Sequence, residues 1–366
     1  MRVGLDYLPA ATHFPGVGRY ARELVRAVER LDAPPELTLI ELGRPERIVP
    51  EASLGLTDRP GLRRVVGRLP QRAIDFGERL GFGPERRLGP VDVFQRTRPG
   101  WPAIRRAPVV RAVSELPPPG HPSEGAVRAA LDRDDAWIVF SAEGEATLVE
   151  RFGRPAERVH RTPVGCDHWM RDLDADPGPA DPPYLLVLGA LRTERHPDLV
   201  LDAFDKARQS RRDLELVFCG GTGDAAELLQ RRLRFASGRS SVRQVAPVEA
   251  ELPELVARAS ALVHLTEGEL TAVTPLEALA AGTPVVVSDI PAFREALGDE
   301  AWYVVTPPSL RHRKALPEQL LAAVDSAQDA GARGGRRRLA ANYPWSGCAA
   351  ATMKVWETVA EGTAAR

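Results

Sequence analysis

Two carboxylates, Glu269 and Glu277, stand eight positions apart in the stretch EGELTAVTPLEALAAGTPVVVSD, residues 267–289. An ionised carboxylate only accepts hydrogen bonds, so its partners are hydroxyls, N–H groups and cations. Glu277 has a local reading that needs no ligand. Thr274-Pro275-Leu276-Glu277 has the form of a capping box, with Thr274 as N-cap, Pro275 at the first helical position and Glu277 reaching back to the Thr274 amide. Gly282 would then end the helix, and Pro284 would prevent its continuation.

The cap leaves Glu269 unexplained. That residue follows the apolar run ALVHL (261–265), at the carboxyl end of a strand, where open parallel sheets bind ligands. Leu270, Thr271, Ala272 and Val273 lead from it into a helix N-terminus, whose unpaired amides and partial positive charge suit a phosphate. A carboxylate there would be repelled by the phosphate and suits sugar hydroxyls instead. Two carboxylates flanking a phosphate-binding helix end point to a diphosphate with a polyol at each side, as in a nucleotide sugar.

The elements that must hold these groups alternate. VGLDY (3–7), LTLIEL (37–42), VDVFQ (91–95), PVVRAV (108–113) and WIVFS (137–141) read as strands of one series. YLLVLG (184–189), LELVFCG (214–220), ALVHL (261–265), PVVVSD (284–289) and WYVV (302–305) form a second. Helical patterns lie between them, which implies right-handed crossovers and parallel sheets in an α/β fold. The expected division is a first doubly wound domain over 1–171, a linker over 172–183 (DLDADPGPADPP), a second domain over 184–345, and a last helix over 346–366 that closes the chain.

The whole-chain numbers agree with this division. With 366 residues, two domains are expected. A net charge of −1 gives no electrostatic case for nucleic acid. The three cysteines, Cys166, Cys219 and Cys348, lack metal-ligand spacing, and the sequence carries no recognisable leader or apolar run of membrane length. A cytoplasmic protein is the expectation, with the inner membrane surface as a second location. The basic stretch RPGLRRVVGRLPQR (59–72) reads as a solvated helix face, or as a surface for lipid headgroups or an anionic acceptor.

The 269–286 stretch resembles the E-x7-E motif of retaining GT-B glycosyltransferases, the group 1 or family-4-like enzymes. The resemblance is carried by Glu269, Glu277, Ala278, Ala280, Gly282 and Pro284-Val-Val. It implies two Rossmann-like, doubly wound domains facing across a cleft, with acceptor bound to the first and donor to the second. It implies that Glu269 binds the transferred sugar, Glu277 the ribose, and the backbone from Leu270 through Thr271 and Ala272 to Val273 the diphosphate. LLVLGALRTERHPDLVLDAF (185–204) resembles the strand, basic loop and helix that open the donor domain, with Arg195 in the place of a phosphate-binding cation. HFPGVGRYARELVRAV (13–28) resembles the first Gly-rich loop, which assigns Gly16 and Gly18 to close backbone approach. SVRQVAPV (241–248) resembles the segment that packs on the base and brings in Val248.

The chain also departs from the pattern. Ala190 follows Gly189 where members often carry arginine, and Arg192, two residues on, is long enough to substitute. VSEL places Ser114 where many members carry a histidine near the reacting sugar. The expected catalytic set is therefore Glu269, Arg195 and Ser114. Asp132-Arg-Asp134-Asp135 resembles a metal motif of another glycosyltransferase fold and is set aside, and His13 has no readable partner. The expected activity is metal-independent, cofactor-free transfer of a hexose from a UDP-, GDP- or dTDP-sugar to a glycan, lipid-linked or small-molecule acceptor with retention. The alternatives are a nucleotide-sugar-binding pseudoenzyme or partner subunit, and a GT-B epimerase.

Overall fold

The computed structural model describes residues 1–12, 16–43, 54–68, 70, 72, 85–99, 102–171, 176–221, 223–246, 249–307 and 309–364. The chain forms two compact units, one of residues 1–165 with 345–366, the other of 166–344.

In the first unit, β1 (Arg2–Asp6), β2 (Glu36–Leu42), β3 (Leu62–Gly67), β4 (Val93–Arg96), β5 (Val109–Ala112), β6 (Ala136–Val139) and β7 (Val159–Arg161) build one parallel sheet in the order β3-β2-β1-β4-β5-β6-β7. Helix α1 (Val17–Val28) packs Tyr20, Leu24 and Val28 into the core beside Val3, Leu5, Leu37 and Leu39. A long C-terminal helix, Trp345–Ala364, adds Trp345, Cys348 and Trp356 to that core. Its Trp356 Nε1 donates to Gln95 Oε1 at 2.7 Å, and Gln95 Nε2 donates to the Tyr20 hydroxyl at 3.1 Å. Buried polar groups are thereby satisfied across three elements.

In the second unit, β8 (Tyr184–Leu188), β9 (Glu215–Cys219), β10 (Val242–Val245), β11 (Ala261–His264), β12 (Val285–Ser288) and β13 (Ala301–Val304) pair in the order β10-β9-β8-β11-β12-β13, all parallel. Strands β8, β11 and β12 are buried along their whole length, which is why they read as unbroken apolar runs. Helix α2 (Pro197–Ser210) covers them with Leu199, Ala203 and Phe204. Strand order reverses between β8 and β11, so a crevice is expected at their carboxyl ends.

Two expectations change. The basic stretch 59–72 is not a helix face: Leu62–Gly67 is the edge strand β3. Arg64 and Arg68 bond to the buried Glu41 at 2.6 and 3.0 Å, and Arg59 to Glu29 at 3.3 Å. The unit boundary also precedes the expected linker. Cys166 N donates to Tyr343 O at 2.9 Å, Asp176 pairs with Arg333 and Arg337, and Ala180 N donates to Arg258 O at 2.8 Å. The described part of 166–183 is thus bonded into the second unit.

Candidate donor site in the second unit

Helix α3 (Val273–Ala280) leaves the β11 loop and is closed only at its far end. Gly282 sits at φ +85°, where side chains are strained, and the bonds Thr283 N to Ala278 O (2.8 Å) and Gly282 N to Leu279 O (2.9 Å) make a Schellman end. Arg336 Nη1 donates to Gly282 O at 3.2 Å and Arg337 Nη2 to Ala281 O at 3.1 Å, cations placed where the helix dipole is negative. The N-terminus is different. Its first bond into the helix runs from Leu276 N to Ala272 O, so Val273 and Thr274 lack intrahelical acceptors. The Thr271 hydroxyl beside them is buried and without a hydrogen-bond partner among the described residues.

The expected capping box is absent. Ala272, not Thr274, is the N-cap, and no side chain caps the helix. Glu277 is one turn inside α3 and fully buried, with Oε1 3.3 Å from His168 Nε2. Thr274 cannot serve as the acceptor because the helix starts before it.

Glu269 lies in the loop after β11. Its Oε2 is 2.8 Å from His264 Nε2, at the last position of β11, and 3.9 Å from Arg195 Nη2. The second distance is an ion pair but too long for a hydrogen bond. Burial opposes ionisation of Glu269, yet His264, then Arg195 and Arg192, outweigh it and hold the carboxyl below its ordinary range. Glu269 is therefore an ionised acceptor at neutral pH. Arg195 donates to Leu188 O at 3.3 Å and lies over Gly189, where a Cβ would come within 2.5 Å of its guanidinium. Gly189 also has φ +120°, so both the turn and the arginine's path require glycine.

Other bonds fix the two loops. His196, in the left-handed region at φ +48°, places Nε2 2.8 Å from Glu267 Oε1. Thr266 N donates to Ser288 Oγ at 2.7 Å, and Thr306 Oγ1 donates to Thr266 O at 3.1 Å. The His196–Glu267 contact thus links the loop after β8 to the loop after β11, and the Thr266 bonds hold the latter to Ser288 at the end of β12 and Thr306 just after β13.

The structure brings Arg195 to Glu269; Leu270, Thr271, Ala272 and Val273 run from Glu269 into α3, and Glu277 lies one turn inside that helix against His168. Arg192 pairs with Glu194 in the same loop. Gly16 and Ser114 belong to the first unit: Gly16 is the N-cap of α1 at φ +89°, and Ser114 is half-buried after β5. Val248 and His13 fall outside the described residues. His264, His196, Glu267 and His168 were not found from sequence. A histidine ending an otherwise apolar strand was a usable signal for His264. Nothing in the sequence links His168 to Glu277. The acidic run at 132–135 is structural: Asp132 pairs with Arg154 at 2.7 Å, Asp134 with Arg96 and Arg111, and Asp135 accepts from Val109 N at 2.8 Å.

Residues 171–335 match the family described as glycosyl transferases group 1. The chain is 29% identical over 309 residues to a phosphatidyl-myo-inositol mannosyltransferase of Mycobacterium tuberculosis, covering 77% of this chain and 80% of the relative. In backbone it is similar to a sucrose-phosphate synthase from Thermosynechococcus elongatus, with a TM-score of 0.71, 16% identity and full coverage of both chains. It is also similar to the pneumococcal O-GlcNAc transferase GtfA in complex with UDP and GlcNAc, with a TM-score of 0.57 and 15% identity over 69% of this chain. The chain spans about half of that protein, 53%. The family match covers every strand from β8 to β13 and contains Arg195, Glu269 and Glu277; the second unit is thus similar to the group 1 glycosyl transferases, and the chain is a nucleotide-sugar-dependent glycosyltransferase with the GT-B fold.

Proposed function

We propose that the second unit binds a nucleoside-diphosphate hexose and the first unit the acceptor, and that transfer proceeds with retention and without a metal. The observation that carries this reading is the ionised Glu269 held by His264 and Arg195 beside the open N-terminus of α3. In the reaction the bond from the anomeric carbon to the diphosphate breaks, a bond to an acceptor hydroxyl forms, and the nucleoside diphosphate leaves with added negative charge. Arg195 and the α3 amides stabilise that charge in this reading, as a preorganised cation and dipoles. Glu269 accepts hydroxyls of the sugar, and Glu277 those of the ribose. The relative named as a phosphatidyl-myo-inositol mannosyltransferase favours mannose as the hexose and a lipid-linked or polyol acceptor.

Among the described residues no helix is long and apolar enough to cross a membrane, and no group of three or more His, Cys, Asp or Glu is placed to hold a metal ion. The test is transfer from GDP-, UDP- and dTDP-hexoses with and without chelator, the product anomer being read by NMR. Metal-restored turnover, or an inverted anomer, overturns the corresponding part of the proposal. Ala190 and Ser114 favour one second reading, a donor-binding pseudoenzyme. Donor binding with no turnover in either the wild type or Ala190→Arg would select it.

A further inference from the structure

Glu277 is fully buried on α3, and its partner comes from outside that helix. The segment that enters the second unit, Cys166 to Arg171, forms a short helix over His168–Arg171 that packs on α3. His168 is 4% exposed and stands with Nε2 3.3 Å from Glu277 Oε1. Its ring is braced by Trp169, centroid to centroid 5.7 Å, and Trp169 is itself 2% exposed. Cys166 lies in the same shell: burial and then the Glu277 charge hold its thiol well above the usual range. The start of this segment is anchored by Cys166 N on Tyr343 O and Cys166 Sγ on Ala340 O. A carboxylate on a helix can rotate about its side-chain torsions. A buried imidazole 3.3 Å from one oxygen, at ion-pair distance and without hydrogen-bond alignment, restricts that rotation by packing against the carboxylate.

We propose that His168 is a positioning residue that aims the Glu277 carboxylate, and thereby makes the site select a ribonucleoside over a 2′-deoxyribonucleoside diphosphate. This rests on the reading of Glu277 as the ribose ligand. A vicinal diol offers two hydroxyls to one carboxylate only when the carboxylate plane is set. A freely rotating carboxylate gives up much of that advantage.

The experiment compares UDP with 2′-deoxy-UDP, and GDP with 2′-deoxy-GDP, by calorimetry. The proteins are the wild type, His168→Leu, His168→Ala, His168→Gln and Glu277→Gln, each melted first to confirm folding. The expected wild-type preference for the ribo form is about tenfold. His168→Leu and His168→Ala reduce that ratio to within about twofold of one and change 2′-deoxy affinity by less than about threefold. His168→Gln, whose amide nitrogen reaches the Nε2 position, restores most of the ratio. If His168→Leu and His168→Ala melt lower but keep the full ratio, while Glu277→Gln loses it, His168 is only a packing residue and the proposal is overturned with the ribose assignment intact. If the wild type shows no ratio, or Glu277→Gln keeps it, the ribose assignment fails and the proposal falls with it. If neither leucine nor alanine variant folds, His168→Gln decides alone: a ratio near that of the wild type supports the proposal, and a ratio near one overturns it.

Discussion

The two sheets each place an acidic residue at the reversal of strand order and treat it in opposite ways. In the first unit Asp6 ends β1, where strand order reverses toward β4. It is fully buried and closed: Arg98 donates from Nε at 2.8 Å and Nη2 at 2.6 Å, and Thr97 Oγ1 donates at 3.0 Å. In the second unit Glu269 follows β11 at its reversal beside β8, takes one close bond from His264, and keeps Arg195 at 3.9 Å. A bidentate pair with every acceptor engaged is a structural joint. A carboxylate held ionised by charges that do not fully occupy it, next to helix amides without intrahelical acceptors, is left able to accept a ligand, the role proposed for Glu269. Acid–base residue types alone do not separate the two; the geometry of saturation does.

The comparison breaks first at Glu269. Glu269→Ala should lower transfer by about 100- to 1,000-fold, the size seen when a preorganised polar contact to the reacting group is removed, with a smaller loss of melting temperature than Arg98→Ala causes. Steady-state rates and a thermal melt check both halves. Arg98→Ala should do the reverse. It leaves Asp6 buried without its cation, a loss of about 3–5 kcal/mol, while the nucleoside diphosphate affinity of the folded protein stays the same. Chemical denaturation and calorimetry read this directly, and a stable Arg98→Ala protein with lost donor binding would invert the comparison.

A third effect is in pH. Glu269 is depressed in the folded state, so its stabilising contribution is complete above the unfolded value of about 4.3 and is lost as pH falls through the lower folded value. Donor-dependent activity should therefore hold on the acid side down to the ordinary carboxylate range. In His264→Leu, burial acts with less opposition, and the acid limb of kcat/KM should move to higher pH. An unmoved limb would remove His264 from the account. The smallest effect is expected at Arg192, which pairs with Glu194 and acts on Glu269 more weakly than His264 and Arg195 do. Arg192→Ala should lower turnover by about tenfold at most, consistent with a charge acting through solvent, with partial recovery in the Ala190→Arg background.

How much was legible follows from where each element lies. The interior strands were readable because both faces are buried and their sequences are continuous apolar runs, as in YLLVL and ALVH. The strands that escaped, β3 (LRRVVG), β7 (VHR) and β10 (VRQV), all lie at sheet edges, where charged and polar residues replace the run. Glu269 and Arg195 could be placed in loops because each follows an apolar strand run and precedes a helix. The capping-box reading of Glu277 failed because a local pattern fits without regard to where the helix begins. His168 was invisible for a different reason: its contact with Glu277 joins segments distant in sequence, and only the packing of the entry segment on α3 creates it.

The central claim, that Glu269 serves the sugar end of a nucleotide-sugar donor in the second unit, is tested most directly by titrating Glu269→Ala and wild type with one nucleoside diphosphate and its hexose derivative. The account predicts that the variant binds the nucleoside diphosphate within about threefold of wild type and loses the added affinity contributed by the sugar. An equal loss for both ligands, or no loss for either, would contradict it.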